Sequence, residues 1–379
     1  MKRKDKLVIV SLMGGFPWGG SEELWYNTAV YALNKDVSVS VFIKKWDEDH
    51  ARIQHLRSLG AKINYLDLHH KQPKKKFFKR LSTTPPTVFD TIKTLGLKRT
   101  DTILISQGDT FSAFGSSLLV NLLTLDVPIS LISQHLPDVG LPKEGLRKKA
   151  SQIVSKIKHF CFVSQRSLDL TKRYLNTEGA NFYLVNNPVN LDKKNIVEYP
   201  DLSIPSFAVV GRLDCRFKGQ DILVEVLSQD KWKARHWTCN LYGKGSDENY
   251  LKDLIAHYEL QDKVILKGHV DSVEDIWSAN HLLVLPSISE GTPLSLVEAN
   301  ICGRTAVVTN VGGNTEVVDE NENGWIAEAP LKIYLDKAME KAWDNKEKWK
   351  EMGVIAHERA MKRYKVNAGK ELFDLIRNK

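Results

Sequence analysis

Glu290 and Glu298 stand with seven residues between them in the stretch HLLVLPSISEGTPLSLVEANICGRTAVVTNVGGNTE, residues 281–316. A carboxylate accepts hydrogen bonds from hydroxyls, so two in one mouth suit a ribose or a hexose. The residues around them predict where they sit. His281 to Leu285 is an apolar run of strand length bounded by Pro286. Thr292 is a good N-cap and Pro293 a good first helical residue. The helix that follows carries Glu298 about a turn and a half in and stops near Gly303. Thr305 to Thr309 reads as another buried strand, ending in Gly312-Gly313. Unpaired N–H groups at the helix start, around Leu294 and Ser295, favour an anion. Gly291, Thr292, Leu294 and Ser295 therefore count among the binding residues. Anion and hydroxyls together read as a sugar nucleotide. On spacing alone, a βαβ unit with two surface glutamates stays open as the alternative.

A βαβ unit that holds a diphosphate needs cations. Phe207 to Val210 reads as a strand, followed by Gly211-Arg212-Leu213 and, after a short loop, Lys218-Gly219 before a helix near Asp221. Arg212 offers a planar fork of donors and Lys218 a compact charge. A further strand, Cys239 to Tyr242, runs into Gly243-Lys244-Gly245.

The first half of the chain has the same rhythm. Leu7 to Leu12 is a strand, a glycine-rich loop ends in Gly19-Gly20, and Ser21 is placed to cap a helix to about Leu33. Glu22 and Glu23 lie in its first turn, where the helix dipole favours acids. The loop lacks the GxGxxG spacing of a dinucleotide site, so NAD is discounted. Gly19 and Gly20 allow close approach of backbone to a ligand, or only a tight turn. Residues 111–124 are predicted as one helix. Pro128 to Ser133 is a strand with His135 just past it, where α/β sheets place ligand-facing groups; a lone histidine is also often structural. Asn186-Asn187-Pro188-Val189 suits a domain junction. The C-terminal stretch reads as helices at 331–349, about 351–363 and about 366–377.

A chain of 379 residues exceeds the usual reach of one core, so two domains are expected. Four dispersed cysteines without a CxxC pair point to a reducing compartment and no zinc site. No apolar run has transmembrane length, and the short apolar N-terminal run reads as a strand and not a signal peptide. A cytosolic protein, at most peripheral to a membrane, is expected. The net charge of +8 includes the run Lys71-Gln-Pro-Lys-Lys-Lys-Phe-Phe-Lys-Arg80. It reads either as a solvated face or as a contact to an anionic membrane surface; no recognised module around it favours nucleic acid.

Taken together, Glu290-Gly-Thr-Pro-Leu-Ser-Leu-Val-Glu298 resembles the E-x7-E motif of retaining glycosyltransferases with the GT-B fold, family 4 (glycosyl transferases group 1). Gly211-Arg212-Leu213 with Lys218-Gly219 resembles that family's phosphate-binding segment. Gly312-Gly313 with Glu316 resembles its GG-x-x-E turn, and Gly19-Gly20-Ser21-Glu22 its N-terminal glycine loop. Asn186-Asn187-Pro188-Val189 departs from the commoner NGV hinge, and Lys244 stands where a small residue is frequent.

The resemblance implies an α/β chain of two facing Rossmann-like domains with parallel sheets. Residues 1–187, with a helix at about 364–379 crossing back, would bind the acceptor, and residues 188–363 the nucleotide sugar. By position, Arg212 and Lys218 would neutralise the diphosphate, Glu298 would hold the ribose, and Glu290 and His135 would contact the transferred hexose. Gly19, Gly20 and Gly243 would approach the ligand by backbone. The implied partners are a UDP- or GDP-sugar donor and a glycan or lipid-linked acceptor in surface polysaccharide assembly. No cofactor and no metal are implied, because no DxD-type pair stands in context. Two other readings are a nucleotide-sugar epimerase of the same fold and a basic membrane- or nucleic-acid-binding protein with a degenerate sugar site.

Overall fold

The computed structural model describes residues 3–66, 87–138, 140–189, 191, 194–201, 203–364 and 367–378. The run Lys71–Arg80 lies outside them. The chain divides into two compact units, residues 1–188 with 366–379, and residues 189–365. Each is a parallel sheet with helices on both faces.

In the N-terminal unit the strands are β1 (Lys6–Ser11), β2 (Ser38–Lys44), β3 (Lys62–Leu66), β4 (Thr102–Asp109), β5 (Ile129–His135), β6 (His159–Phe162) and β7 (Phe182–Leu184). Their order is β3-β2-β1-β4-β5-β6-β7, every pair parallel. A parallel sheet covered on both faces needs strands that are apolar on both sides, and β1 is such a run. Leu7 and Ile9 enter one core cluster, and Val8 and Val10 the other. The helix Ala368–Arg377 completes this unit by packing on the helix Gly20–Asn34. Leu372, Phe373 and Ile376 share a cluster with Leu24 and Trp25.

The C-terminal unit contains β8 (Ser206–Val210), β9 (Thr238–Tyr242), β10 (Val264–Gly268), β11 (Leu282–Leu285), β12 (Thr305–Thr309) and β13 (Gly324–Ala327) in the order β10-β9-β8-β11-β12-β13, again all parallel. The chain winds outward from β8 one way to β10, then returns to β11 on its other side. The two directions part between β8 and β11, so the loops leaving those strands diverge and open a crevice at their carboxyl ends. In the N-terminal unit the corresponding point lies between β1 and β4.

Several sequence expectations are corrected. The predicted caps shift: Pro293, not Thr292, is the N-cap of the helix Leu294–Ile301, and Gly19, not Ser21, that of Gly20–Asn34; neither cap residue makes a side-chain bond. Ser21 instead gives its hydroxyl to Glu22 Oε2 at 2.8 Å. Residues 111–124 are two short helices, Ser112–Gly115 and Ser117–Leu122, because Ser116 adopts an extended backbone and caps the second. Lys218 ends a one-turn helix, Cys215–Lys218, and is not in a loop. The helix predicted over 331–349 stops at Asp344, and Trp349 opens the next. The strand β13 and the helix Gln165–Leu175 were not anticipated.

Candidate functional site

The β8–β11 crevice gathers the predicted residues of the C-terminal unit. Glu290, in the loop after β11, and Lys218, after β8, meet with Lys218 Nζ 2.5 Å from Glu290 Oε1. The carboxylate is nearly buried and the ammonium 20% exposed, so the pair is screened little by water. Ser287 Oγ donates to the same Oε1 at 2.7 Å, and Thr309 Oγ1 donates to the Ser287 carbonyl at 2.5 Å. Glu290 is thus fixed from β12 as well as from β8. Sequence reasoning missed Ser287 and Thr309; their place at the ends of β11 and β12 was the available signal.

Arg212 leaves β8 beside Asp214, with Nε 3.8 Å from Asp214 Oδ2, and over a third of its side chain remains exposed. Asp214 is buried and also accepts from Arg216 at 3.2 Å. The Arg212 carbonyl accepts from Gln220 Nε2 at 2.8 Å, which fixes the loop that carries the guanidinium.

The loops touch through glycines. Gly243 has φ +137°, and a Cβ there would lie 2.0 Å from the Gly211 carbonyl oxygen. Gly312 has φ +50°, and its Cβ would lie 2.1 Å from the Glu290 carbonyl oxygen. Gly313 N–H donates to the Gly291 carbonyl at 2.6 Å. The GG turn therefore serves as the wall against which the Glu290 loop rests.

Leu294 and Ser295 open the helix Leu294–Ile301, so their N–H groups face the mouth of the crevice. Thr292 and Glu298 are largely buried, the latter in the body of that helix. The arrangement offers two cations, a helix start and two carboxylates, the set needed to hold a phosphate ester bearing hydroxyls.

The remaining predicted residues lie in the N-terminal unit. His135 is half-buried at the end of β5, its carbonyl accepting from Thr110 N–H at 2.9 Å and Thr110 Oγ1 at 3.0 Å. Gly19 and Gly20 are exposed at the start of the helix Gly20–Asn34, and Glu22 N–H donates to the Gly19 carbonyl at 3.0 Å. Glu22 is 6% exposed, and burial pushes its carboxyl up from 4.5 to about 7. Burial of Glu22 depends on tertiary packing and has no local signal in the sequence.

Residues 201–359 match the family model described as "Glycosyl transferases group 1". The match lies within the C-terminal unit. An uncharacterized glycosyltransferase of Haemophilus influenzae is 30% identical over 149 residues, 39% of this chain and 41% of that protein. A phosphatidylinositol N-acetylglucosaminyltransferase subunit of Arabidopsis thaliana is 26% identical over 258 residues, 64% of this chain and 55% of the relative. The chain thus spans between about two fifths and just over half of these relatives' lengths. Over nearly its whole length it shares its fold with Anabaena Alr3699/HepE, solved in complex with UDP, at TM-score 0.72 and 15% identity, covering 98% of this chain and 99% of that one. The chain is therefore two Rossmann-like parallel-sheet domains of the GT-B class. Among the described residues, no helix is long and apolar enough to cross a membrane.

Proposed function

We propose that this chain is a retaining glycosyltransferase that moves a hexose from a nucleoside diphosphate sugar to a glycan or lipid-linked acceptor in surface polysaccharide assembly. The observation that carries the reading is the Lys218–Glu290 pair at the β8–β11 crevice, with Arg212 and the Leu294–Ile301 helix start beside it. Relatives and neighbours of this fold whose names include N-acetylglucosamine transfer or UDP support it.

In this reading the diphosphate lies on Lys218, Arg212 and the N–H groups of Leu294 and Ser295. Negative charge grows on the phosphate as the bond from the anomeric carbon to its oxygen breaks, and fixed cations stabilise that charge in the transition state. Glu298 takes the ribose hydroxyls and Glu290 those of the hexose, while Lys218 and Ser287 hold the Glu290 carboxylate in place. The acceptor oxygen attacks the same face that the phosphate leaves, and its proton passes to the departing phosphate oxygen. The proposal needs no metal, and it places the protein in the cytosol, at most peripheral to a membrane.

Thermal stabilisation by a panel of UDP- and GDP-sugars tests the donor. Stabilisation by at least one is expected, and none by any would refute the site. Release of nucleotide that depends on added acceptor marks transfer rather than epimerisation. Product NMR should give retained anomeric configuration; an inverted product ends the retaining reading. Glu298→Ala should raise the donor KM about tenfold or more, and the Arg212→Ala, Lys218→Ala double variant should abolish turnover.

A further inference from the structure

Glu316 ends the turn that begins at Gly312-Gly313, in a short 3₁₀ helix over Asn314–Glu316. Arg363 takes hold of it there twice. Its Nη1 donates to the Glu316 carbonyl at 2.5 Å and its Nη2 to the Glu316 carboxylate at 3.1 Å. We propose that Arg363 and Glu316 are positioning residues, which hold the Glu290 loop against the donor's sugar from the far end of the GG turn. The inference rests on the donor reading for the place of that sugar beside Glu290.

The near end of the turn is pressed onto the loop. A Cβ on Gly312 would lie 2.1 Å from the Glu290 carbonyl oxygen and 2.9 Å from that of Gly291, and Gly313 N–H donates to the same Gly291 carbonyl at 2.6 Å. Backbone packed this closely has no slack to absorb a shift, so the loop follows the turn. Asn314 is fully buried and gives Nδ2 to the Thr309 carbonyl at 2.9 Å, which ties the middle of the turn to β12. Three residues of 3₁₀ helix rise about 6 Å, so Glu316 is one short, stiff step from the wall behind Glu290.

The far end is gripped firmly. A guanidinium presents its donors in one plane, and here they meet a main-chain and a charged acceptor of the same residue. The Glu316 side chain is 17% exposed and that of Arg363 25%, so water screens the pair only in part. Arg363 is the last residue of the helix Trp349–Arg363. From the same helix, His357 Nδ1 meets the Ile301 carbonyl at 2.5 Å, at the end of the helix whose start faces the crevice. One helix therefore holds two walls of the site. Its own end is fixed as well, since the Tyr364 carbonyl accepts from Lys194 Nζ at 2.9 Å, near where the chain enters this unit at Val189.

The consequence is selective. In the donor reading Glu290 takes the hexose hydroxyls, whereas Glu298 and the cations hold the nucleotide. Loosening the GG turn therefore weakens the hold on the sugar and spares the hold on the nucleotide. An ion pair that serves stability alone has no means of separating the two ligands.

The test titrates the full-length parent, Arg363→Met, Arg363→Lys and Glu316→Gln with UDP, GDP and the nucleotide sugars of the thermal panel, and follows peptide-resolved deuterium exchange without ligand. Arg235→Met is the control. Arg235 forks onto Glu340 at 2.8 and 2.9 Å in the same unit, but just before β9 and so at the amino ends of the strands. Arg363→Met should bind the nucleotide sugar about tenfold more weakly and the nucleotide within about twofold of the parent. Exchange across residues 287–293 should be faster in the same variant. Arg363→Lys and Glu316→Gln should fall in between, and they decide the matter if Arg363→Met does not fold. Unchanged exchange at 287–293, an equal loss of both ligands, or the same effects in Arg235→Met overturns the positioning role. Faster exchange specific to the Arg363 and Glu316 variants, in a protein whose parent binds no nucleotide or nucleotide sugar, upholds the hold on the loop and removes the donor reading instead.

Discussion

Lys218 and Glu290 lie 72 positions apart in sequence yet meet at 2.5 Å across the line where the C-terminal sheet changes winding direction. Neither could be held there by its own segment alone. The pair is also a constraint on stability, because removing one partner of a nearly buried ion pair leaves the other uncompensated. Lys218→Ala is expected to cost about 1–3 kcal/mol, less than a fully buried pair since Ser287 still donates to Glu290. Urea denaturation of the variant measures it. A change near zero would mean that water already solvates Glu290.

Gly312→Ala tests the wall behind Glu290. The added methyl would meet the Glu290 carbonyl oxygen at 2.1 Å on a backbone with φ +50°, so the loop must move. The expected outcome is loss of UDP-sugar stabilisation with a fold cost of about 1–3 kcal/mol. Retained ligand stabilisation would show that the loop position is not critical.

Arg304 makes a different kind of prediction. Its guanidinium is fully buried and its hydrogen bonds run to backbone; it donates to the carbonyls of Trp277, Asn280, Val197, Glu198 and Cys302 at 2.5–3.1 Å and lies 4.9 Å from the Tyr199 ring centre. Burial lowers its pKa to about 10. Arg304→Met strands several carbonyls and is expected to destabilise by about 3–5 kcal/mol. Arg304→Lys should rescue little, because one ammonium cannot reach acceptors spread around a planar fork. Chemical denaturation of the two variants decides it.

Glu22 gives a pH signature. Its folded carboxyl sits near 7, above the unfolded value of 4.5, because burial disfavours the charge. The folded state therefore binds the proton more tightly. Its contribution to stability is complete below about pH 4.5 and is lost as pH rises through about 7. The difference corresponds to about 3 kcal/mol at alkaline pH. Glu22→Gln should match the parent near pH 5 and exceed its melting temperature at pH 8. Equal melting curves at both pH values would mean that Glu22 is solvated.

The sequence made the alternation of strands and helices plain, because parallel strands buried on both faces read as unbroken apolar runs, as in Leu7–Val10 and Leu282–Leu285. Arg212 and Glu290 lie in the loops just past such runs, whereas Lys218 and Glu298 sit on the helices that follow. Helix ends were less so. Thr292 and Ser21 are good caps by type, but the chain enters both helices away from them, with Pro293 and Gly19 extended. The strand β13 is four residues long, and Gly324 gives it no local signature; it exists because β12 offers an edge. The buried state of Glu22 arises only from tertiary packing, which no spacing within its own loop records.

The helix Ala368–Arg377 supplies Leu372, Phe373 and Ile376 to the core that Leu7 and Trp25 begin, and Gly369 admits the backbone of Asn27 so closely that a Cβ would lie 2.5 Å from its carbonyl carbon. During synthesis this imposes an order. The unit whose first strand leaves the ribosome earliest must wait, with the apolar flank of its first helix uncovered, until residue 376 has emerged. The C-terminal unit, contiguous in sequence, can close beforehand. The half made first is the half finished last, and that waiting interval is when a chaperone would find it.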